Sequence, residues 1–240
     1  NRFSDSILVL SFPYIFKRLI ISLKKCRNPR VYWGLVLLLL SSEKLEMNLF
    51  EKSEAVKEVF QELEAESRQF HSEAGMGCIS GCGFCCANPE VPASPLEFLP
   101  LAFDLYNKGI AEEIAHQLSI EDEPGNCIVY RSSKEDVTKG FCGNYANRGL
   151  ICRLFGASAR KTKYGQKDLI TCKILKAQKS EAFAAATLRI NSDMEIPMAT
   201  AYYTRLKDVD ESLTNQYPVN QAILMALELV LRFKFYEGAE

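Results

Sequence analysis

Between Glu51 and Phe70 the apolar residues Val56, Phe60, Leu63 and Phe70 recur on one stripe, with glutamate and lysine between them. That spacing predicts an amphipathic helix with one buried face, ending at Ala74-Gly75, where glycine stops it. A glycine-rich loop follows, with Gly75, Gly77, Gly81 and Gly83, closed off by Pro89 and Pro92. Ser94-Pro95-Leu96-Glu97 reads as a capping box with proline at the first helical position. It should open a helix running to Asn107-Lys108-Gly109, with Pro100 as the point of kink or delay. A short helix is expected from Ala111 to Leu118, a strand from Asn126 to Arg131, turns from Asp136 to Phe155, and a second short strand from Leu169 to Leu175. Three more helices read as Ser180–Ile190, Met198–Leu206 and Pro218–Tyr236. The last, apolar at Ile223, Leu227, Val230 and Leu231, belongs in the core. The expected fold is mainly α: a single helical domain over 47–240, with an irregular cysteine-rich middle and at most a small sheet.

Residues 1–46 break this pattern. Two mostly apolar stretches, Ile7–Phe16 and Val31–Leu40, flank a basic segment, and neither reaches the roughly 20 apolar residues that a spanning helix needs. The second has the basic flank and apolar run of a secretory leader, but the charged residues Glu43 to Glu46 follow and a small-x-small cleavage site is missing. Translation from Met47 is the expectation, with 1–46 as an upstream extension; a signal-like or membrane-associated segment and an extra helix are the alternatives. A Met47 start places the protein in the cytoplasm, without a stable membrane span and with its thiols reduced.

At 240 residues, 48% hydrophobic and 25% charged, the chain has the composition of an ordered globular domain with a sizeable core. Its net charge of −1 is uneven: residues 1–46 carry eight basic and three acidic side chains, a net of +5, which leaves −6 on the rest. An acidic body argues against nucleic acid as a partner. The sequence offers no signal for a protein partner.

The cysteines change the picture. Cys78, Cys82, Cys85 and Cys86 fall within nine residues; Cys127, Cys142, Cys152 and Cys172 follow, and only Cys26 lies elsewhere. Isolated buried thiols are ordinary, but four on one short loop would repel as thiolates unless something neutralised them. Disulfides belong to short secreted chains, and a vicinal Cys85-Cys86 bridge is strained. A redox Cys82-x-x-Cys85 would sit between a strand and a helix, whereas this one sits in a glycine loop. A bound metal ion remains, and with two histidines in the chain its ligands must be mostly sulfur, which favours zinc or iron–sulfur. Cys82-x2-Cys85 suits a zinc knuckle. Cys78-x3-Cys82-x2-Cys85 is similar to the triad by which radical-SAM proteins hold a [4Fe-4S] cluster. All eight cysteines from Cys78 to Cys172 are candidate ligands, and spacing leaves their division among sites open.

The loop Cys78-x3-Cys82-x2-Cys85-Cys86, then Cys127, then Cys142-Gly-Asn-Tyr145-Ala-Asn-Arg148-Gly-Leu-Ile-Cys152-Arg153-Leu-Phe155 resembles the YkgJ-type cysteine-cluster family of zinc- or iron-chelating domains. The chain matches that family's second block at Cys142, Tyr145, Arg148, Cys152, Arg153 and Phe155. It departs at Gly149, where the family pattern has proline, and by x3 in place of x2 between the first two cysteines. The resemblance covers about residues 75–175 and implies metal chelation without a defined substrate. Similar clusters in flagellin lysine methylases suggest, by analogy, an iron–sulfur and S-adenosylmethionine link.

Beside the cysteines, Arg148 and Arg153 flank Cys152, where cations would lower its thiol pKa and offset cluster charge. Tyr145 would donate its hydroxyl to a sulfur or pack its ring. His71 is a candidate nitrogen ligand or the end of a solvated helix; His116 reads as a surface residue. Two functions follow: a metal-binding module with a structural or chelating role, or an iron–sulfur enzyme doing redox or methyl-transfer chemistry at an open iron. The absence of a phosphate loop, nucleophile elbow or Rossmann fingerprint favours the first.

Overall fold

The structure, a computed structural model, describes residues 47–79, 81–120, 125–134 and 139–238. The apolar stretches of residues 1–46, Cys26 and the expected upstream extension lie outside them. Eight helices and three two-stranded sheets make up the described residues, so the mainly α expectation holds.

Helix α1 runs Leu49–Ala74, longer at both ends than its apolar stripe suggests. Its start is a capping box: the Asn48 side chain accepts from the Glu51 amide at 2.9 Å, and Glu51 accepts from the Asn48 amide at 2.7 Å. It stops at Gly75, whose φ of 65° is the left-handed conformation glycine adopts without strain. Val56, Phe60, Leu63 and Phe70 are all buried, as their spacing predicts.

Ser94 and Glu97 form only half of the expected capping box. The Ser94 amide and hydroxyl both donate to Glu97 Oε1, at 2.7 and 3.0 Å, and the segment Leu96–Phe98 is a 3-10 turn. The α-helix proper, α2, is Leu99–Asn107; Pro100 lies in its first turn, where a missing amide costs nothing, and does not kink it. Helix α3 spans Ala111–Ile120.

In the middle, β2 (Tyr130–Ser132) pairs antiparallel with β3 (Gly140–Cys142), and β4 (Ala159–Lys161) with β5 (Lys167–Leu169). The two-residue strands β1 (Pro92–Ala93) and β6 (Tyr217–Pro218) also pair. The strand expected from Asn126 starts only at Tyr130, because the Tyr130 amide turns back onto the Cys127 carbonyl at 2.7 Å. The strand expected at Leu169–Leu175 is corrected more sharply. It ends at Leu169, and α5 begins at Lys173 with the Cys172 side chain as its N-cap, accepting from the Leu175 amide at 3.3 Å. A short helix, α4 (Leu150–Leu154), lies inside the turn-rich stretch. Helices α6 (Ser180–Arg189), α7 (Ala199–Asp210) and α8 (Val219–Glu237) follow their predicted positions.

Helix α8 packs on α2 and α3, and α1 packs on α7 and α2. Their apolar faces form the main core, where Leu63, Leu99, Ile223 and Leu227 are fully buried. A second, smaller core gathers Phe70, Met76, Leu175, Ile190 and Met194 beside β5, α5 and α6. The cysteine-bearing loops rest on both: Cys127 and Cys142 against the main core, Cys172 against the small one. Leu227→Ala leaves a cavity in the main core and is expected to lower unfolding free energy by about 2–5 kcal/mol, read as a lower midpoint with an unchanged slope in urea titration.

Candidate metal centre

The cysteine loop is shaped by its own backbone. The Cys82 amide donates to the Ile79 carbonyl at 3.2 Å, and the Cys86 amide to the Gly83 carbonyl at 2.9 Å, so the loop is two successive turns. Gly83, at φ 58°, faces the β2–β3 hairpin so closely that a Cβ there would lie 2.6 Å from the Tyr130 ring and 2.9 Å from the Gly140 carbonyl. The loop is tied down by the Gly140 amide on the Gly81 carbonyl at 3.0 Å and the Cys127 amide on the Cys86 carbonyl at 2.9 Å. Asn220, in the first turn of α8, holds Cys127 from the other side: its side chain accepts from the Ile128 amide at 2.9 Å and donates to the Asn126 carbonyl at 3.0 Å. Nothing in the sequence pattern marked Asn220 for this role.

Cys152 sits on α4, and a buried carboxylate positions that helix. Glu97 is 0% exposed; while Oε1 holds Ser94, Oε2 accepts from the Ile151 amide at 3.0 Å, at the open N-terminus of α4. Burial raises the Glu97 pKa against these hydrogen bonds. Close contact also explains Gly149, since a Cβ at this position would lie 2.8 Å from Glu97 Oε2 and 2.8 Å from the Phe98 ring. Glycine in place of proline therefore fits a crowded approach.

Arg153 is 6% exposed and fully engaged. It donates to the Arg148 carbonyl at 3.0 Å and the Ala146 carbonyl at 2.6 Å, pairs with Glu64 of α1, and stacks over the Phe60 ring at 4.4 Å. Arg148 stacks on Tyr145, 3.7 Å from the ring centroid, and lies 3.7 Å from Glu64. Tyr145 itself is 63% exposed. These three residues thus brace the segment between Cys142 and Cys152 against α1. Burial raises the Cys142 pKa, and Arg148 and Arg131 offset only part of that rise. Cys152 behaves contrary to the sequence expectation: burial, Glu97 and the neighbouring thiols push its pKa up.

His71 lies half-buried with Nε2 3.1 Å from the Gly156 carbonyl, so it links α1 to the chain after α4 and does not face the thiols through that nitrogen. Burial lowers its pKa.

The eight described cysteines are all free thiols, Cys78 exposed and the others partly buried. Seven of them line two neighbouring cavities. One, of about 20 Å³, is lined by Cys85, Cys86, Cys127 and Cys152, with Val91, Ile151, Phe155 and Val219 completing its wall. The other, of about 30 Å³, is lined by Cys78, Cys82, Cys85 and Cys172, with Phe84, Phe155 and Leu175. Cys142 borders the first group, near enough to Cys127 and Cys85 for the thiols to raise one another's pKa. Cys85 differs from the rest: a hydrogen bond from the Cys86 thiol lowers its pKa to about 6 and raises that of Cys86. Among the described residues, no three His, Cys, Asp or Glu side chains already stand arranged to hold an ion. Thiolates repel one another, so an ion that neutralised them would let these sulfurs draw closer than the fold alone sets them. The donor set itself, sulfur with aliphatic and aromatic walls, fits a thiophilic ion.

Convergent free thiols on a helical frame define a thiolate-chelating class of protein. Residues 77–181 match the model of the CxxCxxCC family, described as a putative zinc- or iron-chelating domain. That match supports metal binding, as the loop and the Cys142–Phe155 block implied. No curated protein and no solved structure matches the chain.

Two outcomes are expected here. Arg153→Lys loses the forked donor set that bridges two carbonyls and Glu64, and should lower the thermal midpoint by several degrees. Glutamine at position 71 can still donate to Gly156 but does not titrate. A His held below its ordinary pKa of 6.5 stabilises the fold above pH 6.5, and that contribution fades as pH falls through the lower folded value. Urea midpoints of the wild type should therefore fall more steeply than those of His71→Gln as pH drops from about 7 to about 5.

Proposed function

We propose that the chain is a metal-binding protein in which mononuclear ions, held by thiolates, join the irregular middle to the helical frame. The observation that carries this reading is the meeting of seven free thiols, from the glycine loop, the turn before β2, α4 and the cap of α5, on cavities walled by sulfur and apolar side chains, with Cys142 beside them. Closed all-thiolate surroundings are those of structural zinc, a tetrahedral ion without redox chemistry of its own. A cavity needs about 10–15 Å³ to admit one water-sized occupant. Cavities of about 20 and 30 Å³ therefore suit single ions better than a cubane cluster. This supports zinc, or a single iron, over the [4Fe-4S] enzyme reading. Ligands that are reduced thiols suit a cytoplasmic setting, and among the described residues no helix is long and apolar enough to cross a membrane.

When bound, the ion neutralises thiolates and holds loops that have few regular hydrogen bonds, so its binding energy becomes folding energy. The role of the residues is then to hold sulfur in place: Glu97 for Cys152, Asn220 for Cys127, and the Leu175 amide for Cys172.

The full chain, purified without oxygen, is expected to be colourless, to carry stoichiometric zinc by elemental analysis, and to lose thermal stability on chelation. Cys82→Ala should lower both metal content and melting temperature. A brown sample containing iron and inorganic sulfide would transfer support to the iron–sulfur enzyme. A metal-free sample whose melting ignores chelator would reject chelation altogether.

A further inference from the structure

Resting on the chelating role above, the geometry points to two separate four-thiolate sites: an inner one of Cys86, Cys127, Cys142 and Cys152, and an outer one of Cys78, Cys82, Cys85 and Cys172. Each takes one thiophilic divalent ion with tetrahedral preference, zinc or a chemical equivalent.

The two cavities share only Cys85 and Phe155. Phe155 belongs to both walls and so stands at their common boundary. The ligands of each set are gathered by different means. On the inner side, Cys142 pairs with Tyr130 across the β2–β3 hairpin, and the turn leading into β2 carries Cys127. The Cys127 amide is bound to the Cys86 carbonyl, and Cys152 comes from α4. Cys127 and Cys142 pack on the main core. On the outer side, Cys78 and Cys82 flank the first turn of the glycine loop, and Cys172 caps α5 on the small core. The Gly156 amide donates to the Ile170 carbonyl at 2.7 Å, which brings the Cys172 segment against the wall made by Phe155 and Gly156. The Leu175 amide already donates to Cys172 Sγ, a bond that a metal-bound thiolate accepts.

Cys85 faces both cavities, and ligand count decides its place. Cys142 lines neither cavity but stands beside Cys127 on the same core; with it the inner set has four sulfurs without Cys85, whereas the outer set has three. Tetrahedral all-sulfur sites need four. The vicinal pair therefore divides, Cys85 outward and Cys86 inward. A cavity large enough for one ion on each side leaves no spare thiol among the eight.

The test is stoichiometry. The full chain, purified without oxygen and loaded with zinc, should hold two ions per chain by elemental analysis. Cys78→Ser combined with Cys172→Ser should hold one, and so should Cys127→Ser combined with Cys142→Ser. The outer variant changes an exposed loop residue and a helix cap that serine can still provide, so it stays decisive if the inner variant, at the main core, fails to fold. Cobalt(II) in place of zinc should give two magnetically independent tetrahedral ions. One ion in the wild type overturns the division and leaves chelation standing. No bound metal in the wild type removes chelation itself. Loss of both ions in the outer variant, or magnetic coupling between two cobalt ions through a bridging Cys85, also overturns it.

Discussion

Sulfur atoms do not assemble by themselves. Neutral thiols gain little from meeting, and ionised ones repel. Their convergence must therefore be imposed by the rest of the chain, and the fold supplies that constraint through a few buried polar anchors. Glu97 is the clearest. One carboxylate, sealed from solvent, holds the entry to α2 with one oxygen and the start of α4 with the other. A polar group in such a place is costly unless each oxygen has a partner, so the two elements cannot drift apart without leaving a buried oxygen unpaired. Arg153 makes a comparable knot between α1 and the chain around Ala146–Arg148. The helical cores thus act as a rigid support, and loops with little regular hydrogen bonding lie across it.

The legible parts of the sequence were those with local causes. Helices α1, α6, α7 and α8 were read from apolar spacing because a helix needs only its own residues to declare its buried face. The stop at Gly75 was equally local. Errors came where a distant or side-chain partner decided. The stretch Leu169-Ile-Thr-Cys-Lys-Ile-Leu175 is rich in β-branched residues and reads as a strand, yet the Cys172 sulfur caps a helix there. Asn126–Arg131 likewise looks extended, but Asn220, from 92 to 94 positions away, holds Asn126 and Ile128 in a turn, and the strand starts only at Tyr130.

The same distinction applies to the site. The cysteines identified themselves by number and crowding. Their grouping was hidden, because it depends on which loops lie side by side, and spacing along one chain does not encode that. Arg148, Arg153 and Tyr145 lie beside the cysteine segments, and apart from the effect of Arg148 on Cys142 they meet partners that the sequence does not single out. Their charge and stacking are directed at Glu64, backbone carbonyls and each other. Glu64 lies 89 positions before Arg153 on a face of α1 full of glutamates, with nothing local to single it out.

Cys85 and Cys86 are consecutive residues, and a single trans peptide holds their Cα atoms about 3.8 Å apart. With Cys86 serving the inner ion and Cys85 the outer one, as in the proposed division, that short covalent link leaves the two centres little freedom to fill independently in time. Seating an ion on either side orients the peptide plane, and with it the neighbouring sulfur, so part of the ordering entropy of the second event is already spent. Uptake should then be cooperative, with half-loaded molecules scarce at limiting metal, and the protein would respond to metal supply more as a threshold than as a graded buffer.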